Sequence, residues 1–318
     1  METFVDRLQE AMMEKKSVLC VGLDPQLQFM PPHLIEEMTE KYGRSWKAMG
    51  ALFLAFNRAI IDAVEPYAVA VKPQAAFYEA SHRLWQVLEQ TIAYAGSKGL
   101  IVIKDAKRKD GGATADMYAQ THIGEVPFFD GITKPSQVRA DAVTIDGYIG
   151  EDCVSRFVNE IKEHGTGAFV VDKTSFTPNS VIEQLVTDNG LTVWEQLARY
   201  VAGWGVGTEG KNGYRNLGVV MGATYPEDAT KMRAILPKAI MLIPGYGAQG
   251  GGSDDAVKAF SDDGFGGVVN SSRGIIAAWK KGDFACDPRD FAGAAALSAE
   301  ASCYDLNGAL QRAGKYPF

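Results

Sequence analysis

The stretch Ile101-Val-Ile-Lys-Asp-Ala-Lys-Arg-Lys-Asp110 decides how the rest of this chain is read. With Leu100 it opens as an apolar, β-branched run, the pattern of a buried strand reaching Ile103. From Lys104 to Asp110 it turns charged, broken only by Ala106. Side chains alternate along a strand, so Asp105 and Lys107 are predicted to share one face at i, i+2. Asp110 follows just past the strand end, where Gly111-Gly112 turns the chain. In a barrel of parallel strands, the carboxyl ends of the strands line the active site. Two carboxylates flanking an ammonium there hold the lysine charged and present both signs to a ligand. The plain alternative is a solvated turn carrying ordinary surface charge.

Working outward, seven more short apolar runs recur: 17–23, 67–71, 141–145, 167–171, 217–221, 240–243 and 266–270. Helical periodicity fills the intervals at 3–15, 45–64, 77–96, 113–122, 152–163, 192–204, 226–236 and 254–263, and closing helices are expected at 272–280 and 288–312. Residues 26–44, with Pro31-Pro32, read as irregular or partly helical. Eight strands alternating with helices predict an α/β fold, a (β/α)8 TIM barrel, as a single domain over 1–318. The longest connection, an insertion at about 175–216, ends in the Gly-rich tail GWGVGTEGKNG and reads as an exposed loop or a mobile lid.

A chain of 318 residues, 46% hydrophobic and 22% charged, can bury a large core. Its net charge of −7 disfavours a nucleic-acid or anionic-membrane surface, so an anionic ligand must be gripped by a local pocket. Cys20, Cys153, Cys286 and Cys303 form no CxxC pair, which fits a reduced, cytoplasmic chain with buried thiols. The amino-terminal stretch lacks the apolar core of a signal peptide. No apolar run approaches ~18 residues, so no membrane span is expected.

The strand ends carry the chemistry. The first offers Asp24, the second Lys72, the third Asp105, Lys107 and, beyond it, Asp110. An ammonium at the end of an apolar strand is costly unless paired, and Asp105 and Asp110 supply partners for Lys72 in a Lys–Asp–Lys–Asp array. The seventh run leads into Pro244-Gly-Tyr-Gly-Ala-Gln-Gly-Gly-Gly252 and the eighth into Asn270-Ser-Ser-Arg-Gly274. In barrels these two loops commonly cradle a phosphate with backbone N–H groups, and Arg273 adds a fork that grips phosphate oxygens. His33, His82, His122 and His164 show no metal-ligand spacing, and most of them read as surface helix residues. Asp24 and Asp105 are able to ligate Mg²⁺, yet the lysines crowding them argue against it, so no metal is expected.

These residues resemble the orotidine 5′-monophosphate decarboxylase family. Asp105-Ala-Lys107-Arg-Lys-Asp110 matches its DxKxxD signature, shared with sister phosphosugar enzymes. The flanking elements agree in order: CVGLDP at 20–25, VKPQAAFYE at 71–79, GATYPE at 222–227, LIPGYGAQGGG at 242–252 and VVNSSRGI at 268–275. The likeness spans the first strand to the eighth and is nearest the longer bacterial branch. It implies cofactor-free loss of CO₂ from orotidine 5′-monophosphate to give uridine 5′-monophosphate in de novo pyrimidine biosynthesis. Lys107 would stabilise and then protonate a C6 carbanion, Asp105 would sit against the substrate carboxylate, and Lys72 would orient the array. Asp110 and Thr114 would reach into a neighbouring subunit's site, implying a homodimer with shared sites. Asp24 would hold ribose hydroxyls, Ser175 the pyrimidine amide edge, and Gln249 and Arg273 the phosphate, with Pro244 also against the substrate. Two positions depart from the family pattern. Gly111 stands where an apolar residue is frequent, and Thr174-Ser175-Phe176-Thr177-Pro178 where Thr-Ser-Asn-Pro is frequent. The runner-up is a Mg²⁺-dependent phosphosugar decarboxylase or aldolase of the same superfamily, and a non-enzymatic rival is a nucleotide-sensing barrel.

Overall fold

The computed structural model describes residues 1–176, 181–247 and 249–318. The chain begins with α1 (Phe4–Lys15), capped by Thr3, whose hydroxyl accepts from the Asp6 N–H while Asp6 bonds back to the Thr3 N–H. Then come β1 (Leu19–Leu23), α2 (Pro32–Tyr42), α3 (Trp46–Val64), β2 (Ala70–Pro73), α4 (His82–Ser97), β3 (Ile101–Arg108) and α5 (Gly112–Ile123). A small antiparallel hairpin of β4 (Glu125–Pro127) and β5 (Thr133–Pro135) precedes β6 (Ala142–Asp146), α6 (Glu151–His164) and β7 (Gly167–Lys173). The second half runs α7 (Val193–Trp204), β8 (Arg215–Met221), α8 (Pro226–Ile235), β9 (Ala239–Pro244), α9 (Ser253–Ala256), β10 (Gly267–Ser271), α10 (Arg273–Ile276) and α11 (Phe291–Arg312).

Eight parallel strands close in the order β1-β10-β9-β8-β7-β6-β3-β2, so the predicted barrel stands. The register pairs Gly22 with Lys72, Cys20 with Asn270 and Asn270 with Pro244. Paired residues on neighbouring strands share a face, so Asp24, Lys72, Asp105, Thr144 and Asn270 converge at the carboxyl end of the barrel. The other end is closed by α1. Its Phe4 ring lies edge-on to Phe169, with centroids 5.8 Å apart. A Cβ on Gly167 would fall 2.3 Å from that ring, so only glycine fits there. The Phe4 N–H donates to Gly165 O (2.6 Å), the Val5 N–H to Asn216 Oδ1 (2.8 Å), and Arg7 pairs with Asp141 at 2.6 Å.

Within 26–44 the partly helical reading holds, and three other stretches differ from the sequence reading. Residues 32–42 form a full helix, because Pro32 occupies the first helical turn, where its missing N–H costs nothing, and Gly43 ends it at φ 66°. The hairpin was not predicted, since strands of three residues, one of them proline, leave no periodic signal. The helices expected over 254–263 and 272–280 shorten to the single turns α9 and α10, each followed by a 3-10 turn. Finally, β3 continues through its charged half to Arg108.

Candidate active site

At the end of β3 the pairing with β6 is irregular: Lys104 pairs with Val143 and Arg108 with Ile145, leaving Asp105, Ala106 and Lys107 opposite Thr144 alone. Lys107 takes φ 47°, the left-handed region that non-glycine residues seldom adopt. The expected proximity of Asp105 and Lys107 therefore holds, but through a bulge and not through strand alternation. Lys107 Nζ reaches Asp105 Oδ1 at 2.5 Å and Lys72 Nζ reaches Oδ2 at 2.8 Å. Thr144 Oγ1 donates to Oδ1 at 2.8 Å. Asp105 and Lys72 are buried, whereas the Lys107 side chain is half-exposed at 48%.

Burial alone would raise the Asp105 carboxyl, but the Lys72 and Lys107 ammoniums outweigh it and hold the group well below the usual carboxylate range. Burial likewise opposes charge on Lys72, and the Asp105 and Asp24 carboxylates reverse this and push its ammonium up. Asp24 is raised, chiefly by burial, against the pull of Lys72 and a hydrogen bond from Ser272. Its buried Oδ1 has no hydrogen-bond partner among the described residues.

Beside this array lies a cavity of about 330 Å³ lined by Asp24, Pro244, Gln249, Asn270, Ser272 and Arg273, among others. Gly245, Gly247 and Gly250 take φ of 100°, 74° and 94°, which lets the loop after β9 fold tightly over it. Ser175, after β7, donates to Gln249 Oε1 at 2.6 Å, and a Cβ on Gly245 would strike the Ser175 Cβ at 2.8 Å. Thr177 and Pro178 of the departing motif lie outside the described residues.

Asp110 corrects the sequence reading of a four-member array within one chain. It is exposed, its Oδ1 accepts from the Gly111 N–H at 2.8 Å, and it forms no ion pair with Lys72 or Lys107 among the described residues. Thr114, in the first turn of α5, is exposed too, and neither residue lines the cavity. Gly111 has a local reason: a Cβ there would fall 2.7 Å from Asp152 Oδ2, the oxygen that accepts from the Gly112 N–H.

Four residues escaped the sequence reading or were misplaced by it. Thr144 is the lone hydroxyl in the apolar run of β6, and that isolation is the signal that was available. His122 is buried, not a surface residue as expected, and His164 lies on α6 with Glu160 and Glu163, their ligand atoms within 4.8 Å of one another. Cys20, Cys153 and Cys303 are buried as expected, but Cys286 is exposed.

Residues 17–283 match the model of the orotidine 5′-phosphate decarboxylase / HUMPS family. The chain belongs to that family. The orotidine 5′-phosphate decarboxylase of Rhodopirellula baltica is 39% identical over 285 residues, covering 89% of this chain and 91% of its own. That of Caldicellulosiruptor saccharolyticus is 38% identical over 281 residues, 88% and 91% of the two chains. Among solved structures, Leishmania donovani OMP decarboxylase superposes with a TM-score of 0.70 at 28% identity, over 96% of this chain and 98% of that one. The Methanocaldococcus jannaschii decarboxylase, at 16% identity and a TM-score of 0.53, shares the fold. No helix among the described residues is long and apolar enough to cross a membrane.

Proposed function

We propose that this protein decarboxylates orotidine 5′-monophosphate to uridine 5′-monophosphate in de novo pyrimidine biosynthesis, as one barrel domain without a cofactor. The observation that carries this is the Lys72–Asp105–Lys107 array, built on the buried Lys72–Asp105 pair, beside a Gly-rich, Arg273-lined cavity. Asp105, charged at every working pH, sits against the substrate carboxylate and disfavours the ground state. The C6–carboxylate bond breaks with its electron pair left on C6, the Lys107 ammonium stabilises that charge, and its proton then passes to C6. Lys72 keeps Asp105 oriented. Asp24 takes the ribose hydroxyls, Ser175 the pyrimidine edge, and Gln249 and Arg273 the phosphate, with Pro244 in the wall. Phosphate binding far from the breaking bond supplies the energy for closing the site.

Asp110 and Thr114 are exposed and do not line their own cavity, which supports a homodimer in which each completes the partner's site. Free cysteines fit a cytoplasmic setting. The deciding measurement is the absorbance change of orotidine 5′-monophosphate with EDTA present. Undiminished turnover is expected, and loss of turnover that Mg²⁺ restores would transfer the protein to the phosphosugar enzymes. For the shared site, mixed Lys107→Ala and Asp110→Ala proteins should regain about a quarter of wild-type activity, because half the dimers are mixed and each holds one intact site. No recovery despite proven subunit exchange would remove Asp110 from the partner's site.

A further inference from the structure

The bulge at the end of β3 sets three residues against one on β6, and the unmatched residues lose their ladder partners. Buried backbone N–H groups need acceptors. Here the Ala106 and Lys107 N–H groups both donate to Thr144 Oγ1, at 3.0 Å each. A hydroxyl offers two acceptor sites and one donor. Thr144 spends both acceptor sites on the bulge and its one O–H on Asp105 Oδ1, at 2.8 Å. Its hydrogen-bonding capacity is used in full, in a side chain only 1% exposed. The same oxygen therefore fixes the left-handed turn that carries Lys107 and the rotamer of the carboxylate that Lys107 meets.

We infer that Thr144 is a positioning residue of this active site, and that its hydroxyl fixes the spacing of Asp105 and Lys107 before substrate arrives. This rests on the decarboxylase reading above. With Oδ2 held by Lys72 and Oδ1 by Lys107 and Thr144, Asp105 cannot swing aside when a substrate carboxylate approaches. The like-charge contact is then relieved by loss of CO₂ and not by rotation of the protein's own group. Without the hydroxyl, the two N–H groups have no acceptor, the bulge relaxes, and the Lys107 ammonium leaves its place.

The test compares Thr144→Val, which keeps the shape and removes the hydroxyl, with Thr144→Ser, which keeps the hydroxyl and removes the methyl. Expected for Thr144→Val is a fall in kcat of about 10- to 100-fold, the scale of a misplaced catalytic group. The affinity for uridine 5′-monophosphate should stay within about threefold of wild type, and Thr144→Ser should restore most of kcat. An unchanged kcat in Thr144→Val overturns the inference. So does an equal loss of kcat and product affinity, and so does a Thr144→Ser protein as impaired as Thr144→Val. Should Thr144→Val not fold, Thr144→Cys, similar in size with a weak acceptor, takes its place under the same criteria. Wild-type turnover in the same assay tests the decarboxylase reading separately. A crystal structure of the valine variant tests the positioning whatever the substrate, since Lys107 retained at positive φ against Asp105 would refute it.

Discussion

Lys104 and Asp105 are neighbours on β3, both buried, and they point to opposite sides of the barrel wall. Inside, Asp105 meets two ammoniums and a hydroxyl, and its negative charge is secure. Outside, the Lys104 ammonium has one carbonyl, Val138 O at 2.7 Å, and the Trp85 ring at 5.7 Å, with no ion pair among the described residues. Burial, aided by nearby Arg108, brings its pKa down to about 7. His122 shares that side: burial first, then Lys104 and Arg108, bring it down to about 2, and its Nδ1 lacks a hydrogen-bond partner among the described residues. The contrast teaches that burial does not set ionisation by itself; the partner does. One wall of a single strand holds charges matched by partners, and the other carries groups that folding tolerates at a cost.

The strongest way to break this comparison is on the inner wall. Lys107→Ala should lower kcat by at least about a thousandfold while uridine 5′-monophosphate still binds, by turnover assay and calorimetry. Near-normal turnover would deny Lys107 its role. Next, Asp105→Ala leaves Lys72 buried without its nearest counter-charge and should cost about 3–5 kcal/mol in urea unfolding. The outer wall should respond with the opposite sign. Lys104→Met is expected to gain roughly 1–2 kcal/mol at pH 7, because an uncompensated ammonium gives way to an apolar chain of similar length. Destabilisation by this variant would mean that the contacts to Val138 and Trp85 outweigh desolvation.

The remaining prediction concerns pH dependence, and its sign follows from proton counts. The unfolded chain binds a proton at His122 below its ordinary value of 6.5, which the folded chain refuses until about 2. Its contribution to stability is full above pH 6.5 and is lost as pH falls through the acid range. Lys104 behaves alike in a higher window, its contribution falling as pH drops from 10.5 towards 7. His122→Leu should flatten the acid limb of the stability curve, and an unaltered limb would place the acid sensitivity elsewhere.

The barrel was legible because parallel strands buried on both faces leave uninterrupted β-branched runs, and Asp24, Lys72 and Asp105 were legible because each ends one. Less readable was anything depending on how two strands pair. The bulge that turns Lys107 inward depends on a register shift against β6, and Thr144 gains its meaning only from that shift. His122 was misjudged because α5 carries little amphipathic pattern to say which side is covered. Asp110 was placed in the array by spacing alone, though distance along the chain does not tell which subunit's cavity a side chain faces.

The helix that stops the floor of the barrel has a consequence for biosynthesis. The anchors of its first half, Asp141, Gly165 and Asn216, lie between about 130 and 210 positions downstream, whereas its last residue, Lys15, bonds Glu65 and Ala68 only about 50 positions on, so the apolar first half of α1 leaves the ribosome long before its seat exists. At ordinary translation speeds of 5–20 residues per second, the amphipathic segment waits roughly ten to forty seconds for Asn216 to be made. Until then Phe4, Leu8 and Met12, buried in the finished barrel, face water in the emerging segment.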